Sequence, residues 1–455
     1  MEVCSQINGY KLLLKALIMI PISHYVVGLL CVLIIFLYNF LEFHFLDHLF
    51  NGGCWVKLTY LPGSELHQAV ISKCKLLHGR YSATPWLASP HLQTILLPYA
   101  CKPPAFTYRR EIFHSSDGGS FALDWLLSSD VLGSSANKNA DISKNSTTPI
   151  VVVVPGLTSD SSAPYVRSLS LDSAKQGWNV VVCNHRGMCG ISFTSSYFYN
   201  AGKTKDLRDV LNYLVGSYPM APIFLVGTSI GANIVGKYLG EDGDKCPVAG
   251  AAVICGPWDL LICSRFLGRG LVQRVYDRAL AIGLKSYAQL NKANYVKYAD
   301  WEGILKSRIL REFDTSATCA VDKIETADTY YRWSSCASYV KGVSVPLLSI
   351  SSMDDPVCTA EAIPWDECRA NKNVVLATTK HGGHLGYFEG LTASSLWWVR
   401  TVNEFFGVLH SSPLVHKQKL SARQAVAMSS SPHLTLLLFL ISIMRNALSV
   451  SASNI

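Results

Sequence analysis

The stretch PIFLVGTSIGANIVGKYL, residues 222–239, constrains the fold of this chain more than any other part. An apolar run leads directly into Gly-Thr-Ser-Ile-Gly, and a helix-like pattern follows it. This is the G-x-S-x-G sequence in a strand–turn–helix context, where the turn raises the serine above the end of a sheet. Gly227 and Gly231 lack a Cβ, which permits a strained turn and close packing of helix on strand. Ser229 is therefore predicted to be a nucleophile at a helix N-terminus, where the helix dipole favours a developing anion. The alternative is a glycine-rich junction without catalytic function.

Apolar, β-branched runs recur along the chain, and helical patterns separate several of them. The purest run, residues 150–154, is typical of a strand buried on both faces. Similar runs lie at 178–183, 223–226, 249–254, 345–350 and 374–377, and helical patterns lie at 165–176, 203–216 and 233–239. This alternation, together with the serine turn, predicts an α/β-hydrolase fold with a mostly parallel central sheet and helices on both faces.

Breaks in this alternation predict the domain organisation. The charged, aromatic stretch at about 256–344 has a helical pattern and predicts an inserted cap over the site. Two strands around an Asp-Gly-Gly turn are predicted at 110–127, and the last helix is predicted at 392–409. The predicted units are an anchor at 1–50, a connecting segment at 51–105, the hydrolase domain at 106–409, and a linker with a hydrophobic tail at 410–455.

An apolar segment near the N-terminus predicts a membrane anchor with a span at about 16–40. No charged side chain lies between Lys15 and Glu42, and a helix over this interval would be about 39 Å long, enough to cross a bilayer. A cleaved signal peptide is the alternative, but no small-x-small cleavage site follows the segment. The apolar run at 434–444 is too short to span and predicts an interfacial tail.

The charges beside the anchor predict its orientation. Lys11 and Lys15 precede the span, whereas Glu42 and Asp47 follow it, which favours a cytosolic N-terminus. The catalytic domain would then be lumenal or extracellular, and we expect the membrane to belong to the endomembrane system. The sequon Asn145-Ser146-Thr147 lies in a polar loop predicted at 128–148, where a glycan could be accepted. Chance occurrence of the sequon is the alternative.

Composition argues against several other functional classes. The net charge of +8 is spread along the chain, and Lys417, Lys419 and Arg423 form only a modest basic patch in the predicted tail. Zinc-finger spacing, a phosphate-binding loop and RNA-binding aromatic motifs are all missing from the sequence, so no nucleic-acid partner is predicted. The 14 cysteines contain no C-x-x-C pair, so no metal site is predicted, and the expected chemistry requires no cofactor.

The other catalytic groups are expected after the serine in the order Asp, then His. Asp354 and Asp355 follow the next-to-last predicted strand, and His381 and His384 follow the last. We prefer Asp355 because Pro356 stiffens its loop, whereas Asp354 could instead cap the turn. We prefer His384, which lies in a glycine-flanked loop ahead of the last helix, and expect His381 to be a loop or supporting residue.

Two backbone N–H groups are predicted to stabilise the oxyanion. One belongs to Ile230, directly after the nucleophile, and the other to Leu157, in the loop after the strand at 150–154. Gly156 allows that loop to turn sharply enough to aim the Leu157 N–H toward the site. The alternative for Pro155-Gly156 is an ordinary turn.

With these residues assembled, the chain resembles the membrane-anchored α/β-hydrolase-domain family that includes medium-chain phospholipases, yeast acyl-ester synthases and plant embryogenesis-associated hydrolases. The resemblance covers about 85–409 and rests on PWLASPHLQT (85–94), PGLTSDSSAPYVR (155–167), GWNVVVCNHRG (177–187), GTSIGANIVGKYLGE (227–241), REFDT (311–315), YYR (330–332) and GGHLGYFEG (382–390). It implies the same triad, Ser229, Asp355 and His384, and a single N-terminal anchor. Two departures are the long insertion at 128–148 and the lack of Gly-Phe before the Tyr-Tyr pair, which leaves the acyl-chain preference open.

The sequence therefore predicts a membrane-anchored serine esterase or lipase acting on acyl esters of lipids, either phospholipids or acylglycerols. One alternative is an acyltransferase that passes the acyl group to an alcohol. Another is a non-catalytic membrane scaffold, although a scaffold has no need of Ser, Asp and His together.

Overall fold

The computed structural model describes residues 9–43, 52–102, 104–133 and 142–415. The predicted basic patch and apolar tail beyond residue 415 lie outside the described residues, as does Asp47.

A nine-stranded sheet forms the centre of the described chain. Its strands in chain order are β1 Lys57–Tyr60, β2 Arg109–His114, β3 Ser120–Leu126, β4 Ile150–Val154, β5 Asn179–Cys183, β6 Ile223–Thr228, β7 Gly250–Ile254, β8 Leu347–Ser352 and β9 Val374–Thr379. Their spatial order is β1-β9-β8-β7-β6-β4-β5-β3-β2. The pairs from β9 through to β5 are parallel, while β1 at one edge and β2 and β3 at the other pair antiparallel. The prediction of a mostly parallel sheet is confirmed.

The described residues form α-helices before, between and after the strands, and several of these helices cover the two faces of the sheet. In chain order, the α-helices are α1 Gly9–Met19, α2 Ile22–Phe40, α3 Glu65–Ala69, α4 Pro90–Ala100, α5 Ser128–Leu132, α6 Pro164–Lys175, α7 Lys205–Ser217, α8 Ile230–Asp242, α9 Leu260–Leu267, α10 Leu271–Leu290, α11 Lys292–Tyr298, α12 Trp301–Lys306, α13 Leu310–Asp314, α14 Ala320–Asp322, α15 Ala327–Ser334, α16 Trp365–Ala370 and α17 Trp397–His410. Alternate side chains of a strand point to opposite faces. Val151 and Val153 of β4 accordingly pack with α6 and α17, while Val152 and Val154 pack with α7 and α8.

The last helix begins at Trp397, later than the predicted residue 392. Ser395–Leu396 pairs antiparallel with Phe388–Glu389, and the Trp397 N–H donates to Tyr387 O at 2.9 Å. Backbone groups before residue 397 are therefore bonded across this short ribbon, so the helix starts after it.

Most of α4 lies in the segment 81–99, which mixes prolines with aromatic residues. Pro90 occupies the first turn of α4, where a missing N–H leaves no helical hydrogen bond unmade. Pro98 lies inside the same helix, near its end.

The apolar N-terminal stretch forms two helices, α1 and α2, instead of one continuous helix over 16–40. Pro21 lies between them and serves as the N-cap of α2. By length and composition, α2 is able to span a membrane, and none of its residues is buried in the protein.

Seven helices, α9 to α15, lie between β7 and β8, in the stretch where the sheet alternation stops. Leu157, after β4, and Ile230, after β6, pack in one apolar cluster with Leu261 of α9 and Tyr330 of α15. These helices therefore cover the edge of the sheet at which the parallel strands end.

Candidate active site

Ser229 lies in a strained turn between β6 and α8. Its φ of 52° and ψ of −121° fall in a region that non-glycine residues rarely occupy. The two flanking glycines make this turn possible. A Cβ on Gly227 would lie 2.5 Å from Gly231 O, and a Cβ on Gly231 would lie 2.2 Å from Val154 O. No side chain fits at either position without movement of the backbone.

The structure brings the predicted serine, histidine and aspartate together. His384 Nε2 lies 2.9 Å from Ser229 Oγ, and His384 Nδ1 lies 2.9 Å from Asp355 Oδ2. A carboxylate oxygen only accepts hydrogen bonds, so the proton of the neutral ring belongs on Nδ1. His384 Nε2 then has a free lone pair to accept the Ser229 hydroxyl hydrogen.

The carboxylate of Asp355 is held by its own loop. Its Oδ1 accepts hydrogen bonds from the backbone N–H groups of Val357 and Cys358, each at 2.8 Å. These two bonds leave Oδ2 directed at His384. The Asp355 side chain is 1% exposed, so little water competes for this contact.

The two competing candidates, Asp354 and His381, contact each other. Asp354 Oδ2 lies 3.1 Å from His381 Nδ1, and Asp354 Oδ1 accepts hydrogen bonds from the Ser352 hydroxyl and, at 3.0 Å, from the Gly383 N–H. Asp354 thereby ties the loop that carries His384 to the end of β8. This second Asp–His pair supports the loop, whereas the ring that contacts Ser229 is that of His384.

A further contact at the histidine was not predicted from the sequence. Thr94 Oγ1 of α4 accepts a hydrogen bond from the His384 backbone N–H at 2.9 Å and donates to Pro90 O at 2.7 Å. A Cβ on Gly383 would lie 2.6 Å from Pro90 O, so α4 packs directly on the histidine loop. The available signal was the segment 85–94, which the family resemblance includes without assigning it a role.

The predicted oxyanion donors lie beside the serine. Gly156 packs so closely that a Cβ there would be 3.3 Å from Ser229 Cβ, and its N–H donates to Tyr165 Oη at 3.1 Å. The next N–H, that of Leu157, donates no hydrogen bond within the described residues. Ile230 is the first residue of α8, where an N–H has no helical acceptor. Both groups are thus available to a ligand.

A small cavity of about 70 Å³ opens beside these two residues. Its wall contains Leu157, Ile230 and several aromatic side chains from the helices between β7 and β8. Asp314 also lines it, and its carboxylate accepts hydrogen bonds from Thr318 Oγ1 at 2.7 Å and Tyr331 Oη at 2.8 Å. Burial raises the pKa of Asp314 to about 6.

One group of potential metal ligands overlaps the triad. Cys255 Sγ, a carboxylate oxygen of Asp355 and a ring nitrogen of His384 lie within 4.8 Å of one another. Burial raises the pKa of the Cys255 thiol well above its ordinary value, and Asp355 already shares a hydrogen bond with His384. The arrangement fits a hydrogen-bonded pair beside a neutral thiol better than a metal centre, because metal ligands bind in their deprotonated forms.

Known proteins provide independent evidence. The family described as alpha/beta hydrolase fold matches residues 149–391. The embryogenesis-associated protein EMB8 of Picea glauca is 33% identical over 368 residues, covering 79% of this chain and 78% of that protein. Phospholipase ABHD3 of Homo sapiens is 31% identical over 329 residues, covering 72% and 78%, respectively. Medium-chain fatty acid ethyl ester synthase/esterase 2 of Saccharomyces cerevisiae is 28% identical over 389 residues, covering 72% and 85%. The chain therefore belongs to the α/β hydrolase fold family, as an enzyme of its lipase and esterase type.

Proposed function

We propose that the protein is a serine hydrolase that cleaves acyl esters of lipids through the triad Ser229, His384 and Asp355. The observation that carries this proposal is the position of one imidazole. His384 lies 2.9 Å from Ser229 Oγ through one ring nitrogen and 2.9 Å from Asp355 Oδ2 through the other. This is the arrangement in which a histidine acts as a general base toward a serine.

In the proposed reaction, Ser229 Oγ attacks the ester carbonyl carbon while His384 Nε2 takes the hydroxyl proton. The imidazolium that forms is stabilised by Asp355, which stays ionised. The negative charge on the carbonyl oxygen is stabilised by the N–H groups of Leu157 and Ile230. Collapse of this intermediate expels the alcohol, which takes the proton from His384 Nε2, and leaves an acyl group on Ser229.

Water completes the cycle by the same route. The water oxygen attacks the carbonyl carbon of the acyl group while His384 Nε2 takes a proton from the water. His384 Nε2 then returns that proton to Ser229 Oγ as the carboxylic acid leaves. Besides the ester and water, the groups that take part in this scheme are side chains and backbone N–H groups of this chain.

Three observations support a lipid as the substrate. Relatives of this chain are named as a phospholipase and, in Saccharomyces cerevisiae, as a monoacylglycerol lipase. The cavity beside Leu157 and Ile230 has a largely apolar, aromatic wall that suits an acyl chain. The helix α2 would hold the enzyme at a membrane, where such esters are found.

The test is covalent labelling of the serine. Purified protein should react with a fluorophosphonate probe, Ser229→Ala should not, and Ser192→Ala, at an exposed serine in a loop, should react as the unmodified protein does. Equal labelling of Ser229→Ala and the unmodified protein would contradict the proposal.

Transfer of the acyl group to an alcohol is the second candidate. It is favoured by the name of the yeast relative, which is both a synthase and an esterase of ethyl esters. The ratio of ester to free acid formed when an alcohol is added distinguishes the two. Release of free acid alone at high alcohol concentration would exclude transfer to that alcohol.

A further inference from the structure

Helix α4 has one face on the catalytic histidine loop and another face exposed. Thr94 and the buried Gln93 contact the loop around Gly383 and His384. On the other side, Ile95 and Tyr99 are 53% and 80% exposed. These two residues are four positions apart and therefore lie on the same side of the helix.

Two other exposed apolar side chains lie near the start of α4. Trp86, just before α4, donates from Nε1 to Leu391 O at 2.8 Å, so these two residues are neighbours. They are 52% and 79% exposed, respectively. A contiguous group of large exposed apolar residues is uncommon on a soluble protein and marks an interaction surface.

Helix α10 extends the same surface. His91 Nδ1 of α4 lies 3.0 Å from Tyr276 Oη of α10, which places the start of α10 beside α4. Leu271 and Val275, one turn apart on α10, are both exposed. Arg274, between these two residues, and Arg278, three positions after Val275, are also exposed. Apolar side chains with flanking arginines are typical of helices that lie in a membrane interface.

The apolar helix α2 ends beside the start of α4. Its C-cap residue, Leu41, accepts a hydrogen bond at its backbone oxygen from the Ser89 hydroxyl, and Ser89 directly precedes the first residue of α4. A span that leaves the bilayer at Leu41 therefore holds the beginning of α4 at the membrane surface.

We propose that a docking face made of Trp86, Ile95, Tyr99, Leu271, Val275 and Leu391 rests in the interface of the bilayer that α2 spans. A lipid ester then reaches Ser229 along α4 without passing through bulk water. This second statement rests on the proposed hydrolysis of lipid esters, whereas the docking itself does not.

The docking is tested without any measurement of activity. Full-length protein is reconstituted in phosphatidylcholine vesicles whose acyl chains carry bromine, which quenches tryptophan fluorescence on contact. Quenching should be smaller for Trp86→Phe than for the unmodified protein and unchanged for Trp333→Phe. Trp333 is also partly exposed, but it packs over the Lys237 ammonium of α8. Unchanged quenching for Trp86→Phe would overturn the proposal.

The route of the substrate is tested by comparing two esters. For Tyr99→Asp with Leu391→Asp, we expect hydrolysis of an ester embedded in vesicles to fall about tenfold, because charges in the interface oppose docking. Hydrolysis of a water-soluble short-chain ester should not change. The control is Val296→Asp in α11, far from the docking face. Asn291, which precedes α11, lies about 22 Å from Tyr276 along the axis of α10.

The outcomes separate the two proposals. Equal loss for both esters, or equal loss in Val296→Asp, would overturn the proposed route. Failure of the unmodified protein to cleave either ester would contradict the proposed function and leave the fluorescence result as the measure of docking.

Discussion

The hydroxyl oxygen of Thr94 lies 2.9 Å from the backbone nitrogen of His384, although 290 positions separate the two residues in the chain. The hydroxyl hydrogen is donated to Pro90 O in the same helix, so the oxygen is oriented to accept from the His384 N–H. One end of the histidine backbone is thereby fixed by α4, while Asp355 fixes the ring. The connecting segment before the hydrolase domain is therefore part of the support of the candidate site.

We expect Thr94→Val to lower kcat about tenfold or more with little change in KM. Valine keeps the shape of threonine but leaves the His384 N–H without its acceptor, at a cost of about 1–3 kcal/mol. Steady-state kinetics with a water-soluble ester would measure this. Thr94→Ser retains the hydroxyl and should stay close to the unmodified enzyme, and a fall in Thr94→Ser equal to that in Thr94→Val would argue against the hydrogen bond.

The two aspartates should differ sharply when each is replaced by asparagine. Asp355→Asn removes the acceptor that keeps the proton of His384 on Nδ1, so kcat should fall by about four orders of magnitude. Asp354→Asn keeps an oxygen that can accept from the Gly383 N–H, so its effect should be small. The reverse ranking of kcat would transfer the role of orienting the catalytic histidine to Asp354.

Most of the sheet and the candidate triad could be predicted from local sequence. Runs such as residues 150–154 are too apolar for any place but a central strand. Ser229, Asp355 and His384 each follow such a strand, and the carboxyl ends of parallel strands meet at one edge of the sheet. Their convergence follows from the topology alone.

The supporting contacts could not be predicted in this way. Thr94 bonds to His384 because α4, which carries two prolines and has no clear periodicity, packs against a loop far along the chain. Asp354 binds Gly383 and His381 through side-chain geometry within two loops. Such contacts depend on tertiary packing, which overrides local preference.

Two glycine-to-alanine substitutions should have opposite effects on stability. In Gly231→Ala the new Cβ would lie 2.2 Å from Val154 O, so the backbone must move, and we expect a loss of about 3 kcal/mol. In Gly216→Ala, within α7, the Cβ meets nothing within 4 Å and removes helix-destabilising flexibility, for a gain of about 0.5–1 kcal/mol. Urea unfolding of the detergent-solubilised proteins measures both. A stable Gly231→Ala protein would mean that the turn at Ser229 tolerates a wider helix–strand spacing.

The buried Asp314 should make stability depend on pH. Burial raises the pKa of Asp314 from 3.8 to about 6 in the folded protein, so between these values the folded state holds the proton more tightly than the unfolded state. The free energy of unfolding contributed by this group therefore falls as pH rises from about 4 to about 6. The shift of about two pKa units corresponds to at most about 3 kcal/mol.

Asp314→Asn removes this titration. Its free energy of unfolding should rise relative to that of the unmodified protein between about pH 4 and pH 6, as measured by urea unfolding at each pH. Asp366→Asn, at a side chain that is 91% exposed, is the matched control and should follow the unmodified protein. Parallel curves for Asp314→Asn and the unmodified protein would show that Asp314 is ionised throughout this range.

The orientation that the chain would take with α2 as a membrane span gives the last prediction. Lys11 and Lys15 precede α2, and Glu42 follows it, a bias that favours a cytosolic N-terminus. The catalytic domain would then be lumenal, and Asn145, which is exposed, would be open to glycosylation in its Asn-Ser-Thr sequon. In sealed microsomes, added protease should spare the domain and should digest it once detergent opens the vesicles.

A glycosidase should increase the mobility of the protein on a gel and should leave Asn145→Gln unchanged. Digestion of the domain in intact microsomes would contradict the predicted orientation. The candidate site would then lie on the cytosolic face of the same membrane. The docking face would then rest on the cytosolic leaflet, because α2 and α4 stay joined through Leu41 and Ser89 in either orientation.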